Sequence, residues 1–118
     1  MLEVTISTRD AATVVSPAGD IDSDAAAEFR QAMQEAAQQA MPLLLVDMAA
    51  VSFLDSAGLA VLFGTHRHLE AGQRLALCNV PDRMRRVLHG TATASLMGMH
   101  VAGEPWPWPD VARPAAQP

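Results

Sequence analysis

Ser56 is the residue of this chain best placed to do chemistry. It stands in Phe53-Leu54-Asp55-Ser56-Ala57-Gly58-Leu59, between an apolar strand candidate, Leu43 to Met48, and an apolar helix candidate that begins at Ser56. At a helix start the first backbone N–H groups have no partner within the helix. Three kinds of chemistry fit a serine in that place. It can cap the helix by accepting one of those N–H groups, a contribution of about 1 kcal/mol. It can be a nucleophile if a base lies within reach. It can accept a phosphoryl group, whose charge of about −1.5 to −2 near neutral pH would meet the positive end of the helix dipole.

The nucleophile reading is the weakest of the three. A hydrolase elbow is Gly-x-Ser-x-Gly, because a strained strand-to-helix turn needs both glycines. Gly58 matches the second glycine, but Leu54 stands in place of the first. Of the four histidines, no spacing singles one out as the base. A phosphoacceptor asks only for an accessible hydroxyl and a partner kinase. A partner docked over the helix start would feel the added charge, with Asp55 and Asp20 or Asp22 close by, and would be repelled.

Asp20, Asp22 and Asp24 place three carboxylates at alternating positions. A calcium loop would continue with glycine at its sixth position and glutamate at its twelfth. Counted from Asp20, those positions hold Ala25 and Gln31, so the segment is not an EF-hand. Turn and cap chemistry accounts for it, and so does an acidic loop beside Ser56 that contacts a partner or a kinase-bound metal. His66 and His68 are two apart and face different sides of a helix. Arg83, Arg85 and Arg86 make a small basic patch without interleaved aromatics. Cys78 reads as a small buried hydrophobe.

The elements that must position Ser56 are legible from hydrophobic period. Leu2, Val4 and Ile6 alternate with polar residues, as in a half-buried strand. Arg9-Asp10-Ala11 reads as a turn and Thr13 to Ser16 as the second strand of a hairpin, with Pro17 near its end. Gly19-Asp20-Ile21-Asp22 then leaves the sheet. Ser23 or Asp24 caps a first helix that runs to about Gln39, with Phe29, Met33, Ala36, Ala37 and Ala40 on one face. Leu43 to Val46 is a continuous apolar run, expected of a strand covered on both faces. Ala49 to Phe53 is a connector. The Ser56 helix follows, with Leu59, Leu62, Phe63 and Leu69 on its apolar side, Arg67 and Glu70 solvated, and Gly72 closing it. Leu75 to Cys78 is the next strand. A third helix runs from Arg83 to about His89, and Met97 to Val101 forms a last short strand. Residues 103–118 contain five prolines and read as extended or disordered rather than helical. Trp106 and Trp108, the two tryptophans, stand in that tail as anchors for the domain or for a partner.

The expected order is therefore β-β-α-β-α-β-α-β, an α/β fold with a mixed, mostly parallel sheet. The expected division is one domain over residues 1–102 and a tail over 103–118. With 118 residues, half of them apolar, the chain can bury one real core. Its net charge of −5 argues against a nucleic-acid surface. One cysteine excludes an internal disulfide and a cysteine-based zinc cluster. Met1 to Val4 shows no basic segment leading into an apolar one, and the strongly apolar stretch Ala57 to Gly64 is too short to span a bilayer. A soluble cytoplasmic protein without cofactor or membrane insertion is the expectation.

Leu2 to about Val101 resembles the STAS domain, and within it the bacterial anti-sigma factor antagonists. Gly19-Asp20-Ile21-Asp22 is similar to that family's Gly-x-[Ile/Leu]-Asp after the second strand. Val46-Asp47-Met48, Val51 and Phe53 to Leu59 are similar to its central strand and phosphoserine loop. Leu75 to Cys78 followed by Val80-Pro81 is similar to its fourth strand and the entry to its third helix. The resemblance implies the family's fold, with the helices packed on one side of the sheet. It also implies a protein that is not an enzyme and that switches partners. Its unphosphorylated form would bind an anti-sigma factor, itself a serine kinase of the GHKL type, and so free a sigma factor. Phosphorylation of Ser56 would end binding, and a PP2C-type phosphatase would restore it. Ser56 is the implied acceptor, since Ala57 stands where many relatives carry a second Ser or Thr. Asp20, Asp22, Ser23, Asp55, Ala57 and Gly58 are the implied loop-shaping or partner-contacting residues. The same resemblance also admits a constitutive subunit of an ABC lipid transporter or another constitutive binding module, in which Ser56 would be a contact without phosphate turnover.

Overall fold

The computed structural model describes residues 1–91 and 97–114. β1 (Glu3–Arg9) and β2 (Ala12–Ile21) form an antiparallel hairpin. Asp10, at the turn between them, takes a positive φ of 53°, a conformation aspartate tolerates better than most residues. After α1 (Ala26–Ala37) come β3 (Leu43–Asp47), β4 (Val51–Leu54) and α2 (Ser56–Arg67). β5 (Arg74–Val80), α3 (Asp82–His89) and β6 (Gly98–Val101) complete the order. The sheet runs β1-β2-β3-β5-β6, and every pairing except the hairpin is parallel.

β4 corrects the expected connector at Ala49 to Phe53. It pairs in parallel with the end of β2 (Gly19↔Val51, Asp20↔Phe53, Ile21↔Leu54). The Gly19-to-Ile21 segment therefore stays in the sheet instead of leaving it. The reason lies in how β2 divides its hydrogen bonds. Its ladder to β3 stops at Val15↔Val46, and its ladder to β4 starts at Gly19↔Val51. Pro17 falls in the gap between the two, where a missing N–H costs nothing.

Because successive side chains of a strand point to opposite faces, β2, β3 and β5 build two cores at once. Val15, Leu44, Val46, Leu75 and Leu77 meet the helices through Phe29 and Met33 of α1, Val61 and Leu62 of α2, and Met84 and Leu88 of α3. All three helices thus cover one face. On the other face Ala12, Val14, Leu43, Leu45, Ala76 and Cys78 are also buried, under Trp108 and Val111. The C-terminal segment is irregular, as its prolines require. It is nevertheless folded onto the sheet through residue 114; the expectation for 115–118 lies outside the described residues.

Smaller corrections concern helix ends. Neither Ser23 nor Asp24 caps α1. Its N-cap is Ala25, and the Asp22 carboxylate holds the entry turn by accepting the Ala25 N–H at 3.1 Å. α1 ends at Ala37, and Ala40 is exposed with a φ of 58°. α2 ends at Arg67 with His68 as its C-cap, so Gly72, at φ 89°, belongs to the turn that follows.

Candidate functional site

The parallel pairing of β2 and β4 assembles the site. Ile21 of β2 and Leu54 of β4 are register partners, so the residues that follow each of them, Asp22 and Asp55, emerge side by side at one end of the sheet. The Asp55 N–H donates to the Ile21 carbonyl at 3.3 Å and ties the two exits together.

Asp55, not Ser56, caps α2. Its backbone is extended, and its Oδ1 accepts the N–H groups of Ala57 at 2.9 Å and Gly58 at 3.2 Å. The cap role expected of Ser56 is therefore taken by its neighbour. Ser56 occupies the first helical position, exposed, and its hydroxyl makes no hydrogen bond among the described residues.

Gly58 has a reason of packing. A Cβ built there would lie 2.5 Å from Leu54 Cδ1, 2.8 Å from Ile21 Cγ2 and 2.9 Å from the Ile21 carbonyl oxygen. Only a glycine lets the first turn of α2 rest against the ends of β2 and β4, which keeps Ser56 at the rim. Gly19 serves the same edge differently, with a φ of 115° and a would-be Cβ 2.6 Å from the Met1 carbonyl oxygen.

Asp20, Ser23 and Asp24 are exposed, while Asp22 and Asp55 are half-buried behind their turn and cap hydrogen bonds. None of these carboxylates is ion-paired; the ion pair among the described residues is Arg85–Asp82. The rim around Ser56 is thus a negative surface without internal neutralisation. The four histidines occupy other parts of the fold. His66 and His68 belong to the far end of α2, His89 ends α3, and His100 is buried beneath the C-terminal segment. No cluster of three or more His, Cys, Asp or Glu able to hold a metal ion occurs among the described residues. No helix there is long and apolar enough to cross a membrane.

Two features escaped the sequence reading. Phe53 and Val87 are exposed large hydrophobics, at 51% and 54% exposure. Together with Leu54 and Met84 they line an apolar groove of about 190 Å³ between β4 and α3, three residues from Ser56 along the chain at Phe53. Phe53 was visible inside the motif. Its exposure was not, because that follows from a strand the sequence did not reveal. The second feature is a buried polar chain at the ends of β3 and β5. Asn79 donates through Nδ2 to Asp47 Oδ1 at 3.1 Å and accepts at Oδ1 from Arg113 at 3.2 Å. Its backbone N–H donates to His100 Nδ1, and His100 Nε2 donates to the Glu104 carbonyl. Cys78 lies beside this chain. Burial above all, with the Asp47 charge adding and Arg113 opposing, pushes its thiol far above the usual range.

A family model described as STAS domain matches residues 3–103. The anti-sigma-B factor antagonist of Listeria monocytogenes serovar 1/2a is 30% identical over 89 residues, which cover 74% of this chain and 78% of that protein. Among solved structures, an anti-sigma factor antagonist from Mycobacterium paratuberculosis superposes with a TM-score of 0.79 at 27% identity, covering 85% of this chain and 86% of that one. The Bacillus cell fate determinant SpoIIAA in its phosphorylated form superposes with a TM-score of 0.61 at 27% identity, covering 84% of this chain and 90% of that one.

Proposed function

This chain belongs to the STAS domain family, and on that premise we propose that it is an anti-sigma factor antagonist switched by phosphorylation at Ser56. The unphosphorylated form binds an anti-sigma factor, a serine kinase of the GHKL type, and so releases a sigma factor. Phosphorylation of Ser56 by that kinase ends the complex, and a PP2C-type phosphatase renews the binding form. Catalysis belongs to those partners; this chain supplies the surface and the acceptor.

The observation that carries the reading is the exposed Ser56 hydroxyl at the first position of α2, left unbonded because Asp55 does the capping. A phosphoryl group can be added there without breaking a native hydrogen bond. The positive end of the helix dipole tolerates it. A relative of the same fold, at 27% identity, has been solved in a phosphorylated form, which supports the reading. The partner contributes to the rim from two sides. Its basic groups meet Asp20, Asp22 and Asp55, with Ser23, Ala57 and Gly58 in the contact. Its apolar groups enter the groove beside Phe53.

The test is to incubate the chain with the anti-sigma factor kinase and ATP and to locate phosphate by mass spectrometry. Phosphate at Ser56 is the expected outcome; phosphate elsewhere, or none, refutes the switch.

A further inference from the structure

Two guanidinium groups converge on a cleft of about 490 Å³ where the C-terminal segment passes the ends of β3 and β5. Arg83 comes from the first turn of α3 and Arg113 from the segment that covers the outer sheet face. Each is held by a neutral acceptor. Arg83 Nη2 donates to the Val51 carbonyl at 2.6 Å. Arg113 Nη2 donates to Asn79 Oδ1 at 3.2 Å, and its guanidinium stands 6.0 Å from the centre of the Trp106 ring. Asn79 is itself oriented, since its Nδ2 is taken by Asp47 and only its oxygen can face an arginine.

Neither guanidinium is ion-paired among the described residues, in contrast to Arg85, which meets Asp82 at 3.0 Å. Both are therefore held in direction by one hydrogen bond each, with most of their five N–H donors unspent and the buried Asp47 carboxylate set back behind Asn79. Such a fork matches the geometry of a carboxylate or phosphate. The rest of the lining is largely apolar: Ala49, Pro81, Ala102 and Pro114. The volume falls within the range of about 300–1,000 Å³ usual for small-molecule sites.

We propose that this cleft binds a small organic anion, its phosphate or carboxylate head between Arg83 and Arg113 and its apolar body on Ala49, Pro81, Ala102 and Pro114. Arg113 and Pro114 lie beyond the residues 3–103 that match the family, so the site needs this chain's C-terminal segment, while Arg83 also lines the groove beside Phe53.

The test is an amide NMR titration of the full chain at constant ionic strength with phenyl phosphate, inorganic phosphate and citrate. Saturable shifts centred on Ala49, Asn79, Ala102 and Arg113 are expected, with phenyl phosphate binding more tightly than inorganic phosphate. Arg113→Gln should weaken phenyl phosphate by about tenfold or more, as expected for loss of a charge-assisted bidentate contact. Arg113→Lys, which keeps the charge without the fork, should fall between, and Arg86→Gln should bind like the parent. Shifts that do not saturate, shifts spread evenly over all arginines, or unchanged binding by Arg113→Gln with an intact amide spectrum would overturn the proposal. Should Arg83→Gln lose the folded spectrum, the two Arg113 variants decide the matter.

Discussion

Beside Ser56 the assignment of the cap to Asp55 has a measurable consequence. Asp55 holds two amides of the first turn, so Asp55→Ala should cost about 0.5–2 kcal/mol in a denaturant titration. Ser56→Ala should leave stability nearly unchanged, because its hydroxyl holds nothing in the fold. A cost at Ser56 equal to that at Asp55 would reverse the assignment. Gly58→Ala puts a methyl against the Ile21 carbonyl oxygen at 2.9 Å and should cost about 1–3 kcal/mol by overpacking, with the displaced first turn also disturbing the rim. Cys78 gives a chemical check on burial. Its thiol is held protonated in the fold, so it should resist alkylation until the chain unfolds. The sign of the pH effect follows: above the free-thiol value of 9.0 the unfolded chain releases a proton that the fold retains, and stability falls as pH rises.

At the scale of elements, the sequence carried the long periodic segments and lost the short ones. α1, α2, β3 and β5 were legible because each presents a full apolar stripe or run. β4 was not, since its four residues, Val51–Leu54, carry a mixed pattern and are made a strand by pairing with β2. That pairing also sets Asp22 beside Asp55, so the closeness of the acidic loop to Ser56 was legible in the motif while the strand that produces it was not. The caps of α1 and α2 fell one or two residues from where the residue types alone placed them, because Asp22 holds the entry turn of α1 and Asp55 takes the first amides of α2. The C-terminal segment was read correctly as non-helical, but its tryptophans gave no sign of their target. The outer sheet face supplies it: Ala12, Val14, Leu45 and Ala76 present an apolar surface without a helix to cover it, and Trp108, at 8% exposure, closes it. Trp108→Ala should therefore destabilise the whole domain by about 3–5 kcal/mol, read as a lowered unfolding midpoint. A midpoint equal to the parent's would show that the segment contributes little to the fold.

For the whole molecule, the two faces of one sheet have separate tasks. Three helices and their core hold the Ser56 rim, and the C-terminal segment seals the opposite face and brings Arg113 to its cleft. The net charge of −5 and the unpaired carboxylates at the rim favour a partner with a basic docking surface. Association with the anti-sigma factor should slow as salt is raised, since such steering is screened over about 8–10 Å at moderate ionic strength. A phosphoryl group would act at that interface rather than in the core, so Ser56→Asp should keep the parent's unfolding midpoint. The most direct measurement is the affinity of the anti-sigma factor kinase for the parent chain, for the chain phosphorylated at Ser56, and for Ser56→Ala. Phosphorylation should weaken binding by about 2–5 kcal/mol, while Ser56→Ala should bind like the unphosphorylated parent in the presence of ATP. Equal affinity of the phosphorylated and unphosphorylated chains would contradict it.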